Sequence, residues 1–175
     1  ASFFEAGGTL TPDLADGLAG AINAIEAQTG RVFGCAQNPL FLAVRPGALD
    51  LMPGALQTIL NIGLNDETVS ALARERGEPC ALSSYLHFIR HYAEVVLELE
   101  LDIFDEADEL LKTGHPDAKD TLLSGVIIRL KSAIEAELGK PFPQDAKAQL
   151  SGAVSAVLKS WTSPGAVMFR RLHTV

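Results

Sequence analysis

The sequence predicts a mainly α-helical chain with a small β element, which places it in the α+β class. Apolar residues recur at helical spacing along most of the 175 residues. Residues 40–63 depart most clearly from that period, because there two short apolar runs are separated by glycine and proline. The length is sufficient for one domain, and the apolar share of 47% is ordinary for a globular protein.

The first predicted helix has signals at both of its ends. Thr11 can cap it, Pro12 suits the first helical position, and Gly30 suits the left-handed position just past the last turn. We therefore expect a helix between Pro12 and Gly30. Its apolar stripe consists of Leu14, Leu18, Ile22 and Ile25.

Two short strands are predicted next. The apolar run Leu40–Val44 is typical of a buried strand, which ends at Arg45-Pro46-Gly47. A second run, Thr58–Ile62, ends at Gly63. Residues 40–63 are therefore expected to form a strand–loop–strand unit.

Helical periods return after this unit. One helix opens near Asp66 and stops at Gly77, and a longer helix opens at Ser83 or Ser84. Residues 97–103 then alternate between apolar and acidic side chains, which would also suit an exposed strand. Because helical periods flank this stretch on both sides, we interpret it as a helix end followed by a loop.

Four further helices are predicted in the rest of the chain. The acidic run 105–109 suits the exposed face of a short helix, and a longer helix follows His115-Pro116-Asp117 and stops at Gly139. Another passes through Leu150, and the last begins at Ser163. The apolar side of the longer helix is predicted to consist of Leu122, Val126, Leu130, Ala133 and Ile134.

Charge and composition exclude several kinds of partner. A formal net charge of −8 lacks the basic surface that duplex nucleic acid or an anionic membrane requires. No apolar run reaches the roughly 18 residues of a membrane span, and the first residues lack the basic start of a signal peptide. Cys35 and Cys80 are far apart, which is typical of reduced thiols. We therefore expect a cytoplasmic protein with no nucleic acid and no membrane as partner.

Two histidines, His87 and His91, lie one helical turn apart and could reach one cation. Neither H-E-x-x-H nor a defined third ligand accompanies them, so we interpret them as structural residues and predict no metal site. The sequence also contains no G-x-S-x-G and no G-x-x-x-x-G-K-[ST] motif. It therefore predicts no catalytic residue.

Arg45 is the candidate binding residue. It directly follows the first predicted strand and precedes a Pro-Gly turn. A guanidinium at the carboxyl end of a strand can hold a phosphate through two parallel hydrogen bonds. An arginine that bonds loop carbonyls would have the same spacing, so the spacing leaves both readings open.

Four blocks of the sequence match one family in the same order. Residues 38–69 read NPLFLAVRPGALDLMPGALQTILNIGLNDETV, against a family pattern N-P-L-L-V-S-V-R-S-G-A and then S-M-P-G-M-M-D-T-I-L-N-L-G-L-N-D-E-T-V. The likeness continues in FIRHYAEVV at 88–96, GKPFPQDAKAQLSGAVSAVLKSW at 139–161 and FRRL at 169–172. In these blocks the chain resembles the amino-terminal nucleotide-binding domain of the pyruvate phosphate dikinase family.

The resemblance implies part of an ATP-grasp-like domain that binds ATP and Mg²⁺. In that family the domain phosphorylates a histidine on a separate domain. That histidine then phosphorylates pyruvate to phosphoenolpyruvate. Arg45 matches the arginine of V-R-S-G-A, which contacts the nucleotide phosphates. The implied division is residues 1–65 as a partial nucleotide-binding subdomain, 66–150 as a helical subdomain, and 151–175 as helices that return to the first. The implied partners are nucleotide and the remaining dikinase domains or a partner chain.

The sequence also departs from the family pattern. Pro46 replaces a serine and removes a hydroxyl and a backbone N–H, Ala93 replaces a glycine, and Gly165 replaces an arginine. The glycine-rich G-G-K-G-A-N-L block, the acidic metal ligands and the phosphohistidine are not among the 175 residues.

Two readings therefore remain open. The chain is either part of a larger dikinase and inactive alone, or a degenerate relative that acts as a non-catalytic binding or regulatory module. A part of a larger fold would leave the edges of its strands bare. We therefore expect a homodimer or a partner contact near residues 40–44 and 58–62.

Overall fold

The computed structural model describes residues 2–46, 58–113 and 119–173. The helices in these ranges are α1 (Ser2–Glu5), α2 (Pro12–Thr29), α3 (Thr68–Arg76), α4 (Glu78–Val95), α5 (Ile103–Thr113), α6 (Lys119–Leu138), α7 (Ala146–Ser160) and α8 (Pro164–His173). The strands are β1 (Val32–Phe33), β2 (Pro39–Leu40), β3 (Leu42–Val44) and β4 (Ile59–Ile62). The prediction of a mainly helical chain with a small β element is confirmed. None of the described helices is long and apolar enough to cross a membrane.

The strands form two separate two-stranded sheets. β1 pairs in parallel with β2, and β3 pairs antiparallel with β4. The prediction of one strand over Leu40–Val44 is therefore wrong, because the chain changes its pairing partner at Phe41. In a run that is apolar at every position, apolar and polar residues do not alternate. The sequence therefore does not indicate where a strand changes its pairing partner. The second strand is confirmed, apart from its first residue, Thr58.

Helix α2 begins and ends where the sequence predicts. Pro12 is its first residue, and Gly30 follows its last turn with a φ of 68°, a left-handed conformation that glycine adopts without strain. The cap prediction for Thr11 is wrong, since its side chain makes no capping hydrogen bond. The apolar stripe is present, but no residue of α2 is buried, and Ile25 is 37% exposed.

Helices α3 and α4 are separated by a single glycine, Gly77, which has a φ of 88°. The stop at Gly77 is confirmed, whereas the predicted start of the next helix at Ser83 or Ser84 is wrong, because α4 begins at Glu78. Pro79 lies in the first turn of α4, where its missing N–H leaves no helical hydrogen bond unmade. The loop predicted after α4 is confirmed.

The core is centred on α4, which packs against α3, α5, α6 and β4. Phe88 and Tyr92 of α4 meet Phe142 in a cluster whose ring centroids are 5.5 to 5.8 Å apart. The prediction for Leu122 of α6 is wrong: its side chain is 51% exposed, and the next residue, Leu123, is buried instead. The buried residues of α6 are Leu123, Val126, Ile127, Leu130 and Ile134.

Candidate functional site

Arg45 lies immediately after β3, and its side chain is exposed. It makes no hydrogen bond or ion pair with another described residue. Val44 pairs with Ile59 of β4, so Arg45 is next to Thr58 at one end of this sheet. Both interpretations of Arg45 stay predictions, because the loop carbonyls of residues 47–57 lie outside the described residues.

The end of β4 beside Arg45 is in contact with α4. Nε2 of His91 is 3.1 Å from the carbonyl oxygen of Thr58, and Nδ1 is 3.8 Å from Oε2 of Glu94. The rings of His91 and His87 are nearly parallel, with centroids 6.1 Å apart. Burial lowers the pKa of His87, and the nearby His91 and Arg90 act in the same direction.

Among the described residues, no three or more His, Cys, Asp or Glu side chains are arranged to hold a metal ion. The absence of a metal site at the histidine pair stays a prediction.

The other end of β4 is held by a buried glutamine of α7. Gln149 accepts a hydrogen bond from the backbone N–H of Gly63 at 2.9 Å. Its amide nitrogen donates to the carbonyls of Leu64 and Pro143 at 2.9 and 2.8 Å. Gly63 itself has a φ of 104°, and a Cβ there would lie 3.0 Å from the carbonyl oxygen of Leu40. Position 63 therefore requires glycine; Gln149 satisfies its N–H, and the hydroxyl of Thr68 donates to its carbonyl at 2.8 Å.

The G-L-N-D block that follows β4 connects three helices. Asn65 caps α3 by accepting hydrogen bonds from the N–H groups of Glu67 and Thr68, and its amide donates to the carbonyl of Gln144. Asp66 accepts a hydrogen bond from Tyr85 of α4 at 2.8 Å and pairs with Lys131 of α6. This block therefore has a structural role, which sequence reasoning did not identify.

A groove of about 400 Å³ lies between α2, β1 and α7. Its walls are mostly apolar, with Leu18 and Ile22 from α2 on one side and Leu150 from α7 on the other. Glu26 and Lys147 add one charge of each sign. Arg45 does not line this groove, so it is separate from the candidate phosphate site.

The three departures from the family pattern lie in different environments. Ala93 is fully buried in α4, where its methyl group is part of the core. Pro46 is half-buried directly after Arg45, and Gly165 is exposed in the first turn of α8. Only Pro46 is therefore adjacent to the candidate site in the sequence.

No protein-family model matches the chain, whereas curated proteins similar to it are found. The pyruvate, phosphate dikinase of Rhizobium meliloti is 43% identical over 99% of this chain and 20% of the enzyme. That of Clostridium symbiosum is 36% identical over 99% of the chain and 21% of the enzyme. The chloroplastic pyruvate, phosphate dikinase 1 of Zea mays is 36% identical over 95% of the chain and 18% of the enzyme. The chain spans about one fifth of the length of these relatives, and it is homologous to that part of pyruvate, phosphate dikinase.

Proposed function

We propose that the chain is part of the ATP-binding domain of a pyruvate phosphate dikinase-like phosphotransferase. In this role Arg45 binds the nucleotide phosphates at the end of β3. One observation carries the proposal: an exposed arginine at a strand end lies inside a match to a dikinase that covers 99% of the chain. A guanidinium in that position can form two parallel hydrogen bonds to a phosphate.

The division of labour follows from the chemistry of phosphoryl transfer. Such transfer depends on positioning the phosphates and neutralising their charge with several cations and Mg²⁺. These 175 residues contribute one strand-end arginine, and the phosphate-binding lysine and the acidic metal ligands of the family pattern belong to other segments. The chain therefore acts with the remaining dikinase domains or a partner chain, and it is not catalytic alone.

A second candidate function is a binding or regulatory module without phosphoryl transfer. Pro46 favours it, because proline offers no backbone N–H to a phosphate beside Arg45. The reading frame on both sides of this segment distinguishes the two candidates. A G-G-K-G-A-N-L block upstream and acidic metal ligands downstream support the dikinase; their absence from the gene supports the module.

Segment exchange tests the proposed function directly. In the Rhizobium meliloti dikinase, the homologous fifth is replaced by this chain, and turnover of pyruvate to phosphoenolpyruvate is measured. We expect an active chimera in which Arg45→Ala lowers kcat/KM about 100-fold, the usual cost of losing one group that stabilises transition-state charge. Arg76→Ala is the matched control, since the Arg76 side chain is 67% exposed at the end of α3. A folded chimera that is inactive, or equally active with and without Arg45, contradicts the proposal.

A further inference from the structure

His91 is on α4, yet its imidazole reaches the backbone beside β4. Nε2 is 3.1 Å from the carbonyl oxygen of Thr58. A carbonyl oxygen only accepts hydrogen bonds, so Nε2 carries a hydrogen and donates it. The neutral ring is thereby fixed in the Nε2–H tautomer.

The position of Thr58 connects this hydrogen bond to Arg45. The antiparallel register places Val44 opposite Ile59. Arg45 directly follows Val44 and Thr58 directly precedes Ile59, so both residues lie at the same end of the sheet. The ladder ends at the pair of Val44 and Ile59, whose backbones are about 5 Å apart, and Arg45 and Thr58 each adjoin one member of that pair. A bond that fixes the Thr58 carbonyl therefore restrains the backbone that carries the Arg45 side chain.

The ring of His91 is itself held in place by its neighbours. Its side chain is 22% exposed and stacks on the ring of His87. Glu94 lies beside Nδ1, and Arg90 of α4 pairs with both Glu94 and Asp108 of α5. The donor is therefore oriented before any ligand binds, which is the property expected of a group that positions a site.

We propose that His91 is a positioning residue: it donates a hydrogen bond to Thr58 and so holds the sheet end at which Arg45 binds phosphate. The hydrogen bond follows from the geometry alone, whereas its effect on phosphate binding rests on the proposed function.

The hydrogen bond is tested by nitrogen-15 NMR of the imidazoles and by amide hydrogen exchange in β3 and β4. We expect the Nε2–H tautomer for His91 in the neutral ring. His91→Leu should speed exchange in the two strands about fivefold, the factor that corresponds to a hydrogen bond of ~1 kcal/mol. His91→Gln keeps an N–H donor and should restore most of the protection. Cys80→Ala, on the exposed surface of α4 about three turns before His91, is the control and should leave exchange unchanged. An Nδ1–H tautomer, or equal exchange in all four proteins, overturns the inference.

The effect on phosphate binding is tested with inorganic tripolyphosphate as the probe, by following the guanidinium resonance of Arg45. We expect the titration midpoint to rise about threefold to fivefold in His91→Leu, to return in His91→Gln, and to stay unchanged in Cys80→Ala. A shift of the Arg45 resonance with equal midpoints in all variants overturns the positioning role. If the Arg45 resonance does not respond even in the wild type, the proposed function fails at Arg45, and the exchange data still decide whether the His91–Thr58 bond exists.

Discussion

Helices α2 and α4 have the same length of 18 residues and both carry an apolar stripe, but they differ completely in burial. Seven residues of α4 are buried, and none of α2 is. Helix α4 is surrounded by α3, α5, α6 and β4, whereas α2 packs mainly against β1 and places only half-buried residues such as Ile22 against the core. Apolar periodicity thus identifies a helix and its apolar face, but not what covers that face.

This difference also bears on the candidate site. The sheet end that carries Arg45 is attached to α4 through His91, and the opposite end of β4 is attached to α7 through Gln149. Both hydrogen bonds therefore connect β4 to helices that pack against the core. We accordingly expect substitutions around α4 and α7 to reach the site, and substitutions on α2 to have little effect on it.

The largest difference is expected between core substitutions in the two helices. Phe88→Ala in α4 should lower the free energy of unfolding by about 3–5 kcal/mol, because a fully packed aromatic ring is replaced by a cavity. Ile25→Ala in α2 should cost less than about 1 kcal/mol, because its side chain is 37% exposed. Urea denaturation measures both values. Equal losses of unfolding free energy in the two variants would show that the apolar face of α2 is covered in solution.

A smaller difference is expected for polar side chains in the two regions. Gln149→Leu should cost about 2–3 kcal/mol, since it leaves the N–H of Gly63 and the carbonyls of Leu64 and Pro143 without partners in a buried site. Gln28→Leu, on the exposed surface of α2, should change stability by less than about 0.5 kcal/mol. Thermal and urea unfolding of both variants provide the test. A loss at Gln149 no greater than at Gln28 would mean that the buried network does not form.

The smallest difference is expected at the helix caps. Asp145 accepts hydrogen bonds from the N–H groups of Lys147 and Ala148 at the start of α7, so Asp145→Ala should cost about 1 kcal/mol. Thr11 makes no such bond at the start of α2, and Thr11→Ala should cost less than about 0.5 kcal/mol. Denaturant midpoints with unchanged slopes measure the two costs. The reverse order would contradict the cap geometry.

The parts of the fold that were predicted correctly are marked by local residues. Pro12, Gly30, Gly77 and Gly139 mark helix ends, and the left-handed conformation expected for Gly30 is present. The Thr11 cap and the start of α4 were local errors, whereas two other errors occurred where distant partners decide the outcome. Phe41 separates two sheets, and α6 turns Leu123 rather than Leu122 toward the core, because neighbouring elements select the face.

The candidate site shows the same contrast between features that local sequence marks and features that distant partners decide. Arg45 was identified because it directly follows an apolar run and falls within a family-like block. Gln149 was missed, because its partner Gly63 is 86 residues away and no spacing connects the two. Lys131 was missed for the same reason, since 65 residues separate it from Asp66. His91 was noted as one of a pair, but its bond to Thr58 depends on how α4 packs against the sheet. The subdomain boundaries at residues 65 and 150 stay a prediction.

Titration calorimetry of the isolated chain with Mg-ATP shows whether these residues provide a phosphate-binding arginine without the rest of a nucleotide site. Water screens an exposed ion pair, so Arg45 alone contributes little binding free energy, whereas a Kd of 1 µM needs about −8 kcal/mol. We expect only weak, salt-sensitive heats that Arg45→Ala abolishes, and no ATP hydrolysis. Saturable micromolar binding that is lost in Arg45→Ala would contradict this expectation, because it would show that the chain holds a complete nucleotide site by itself.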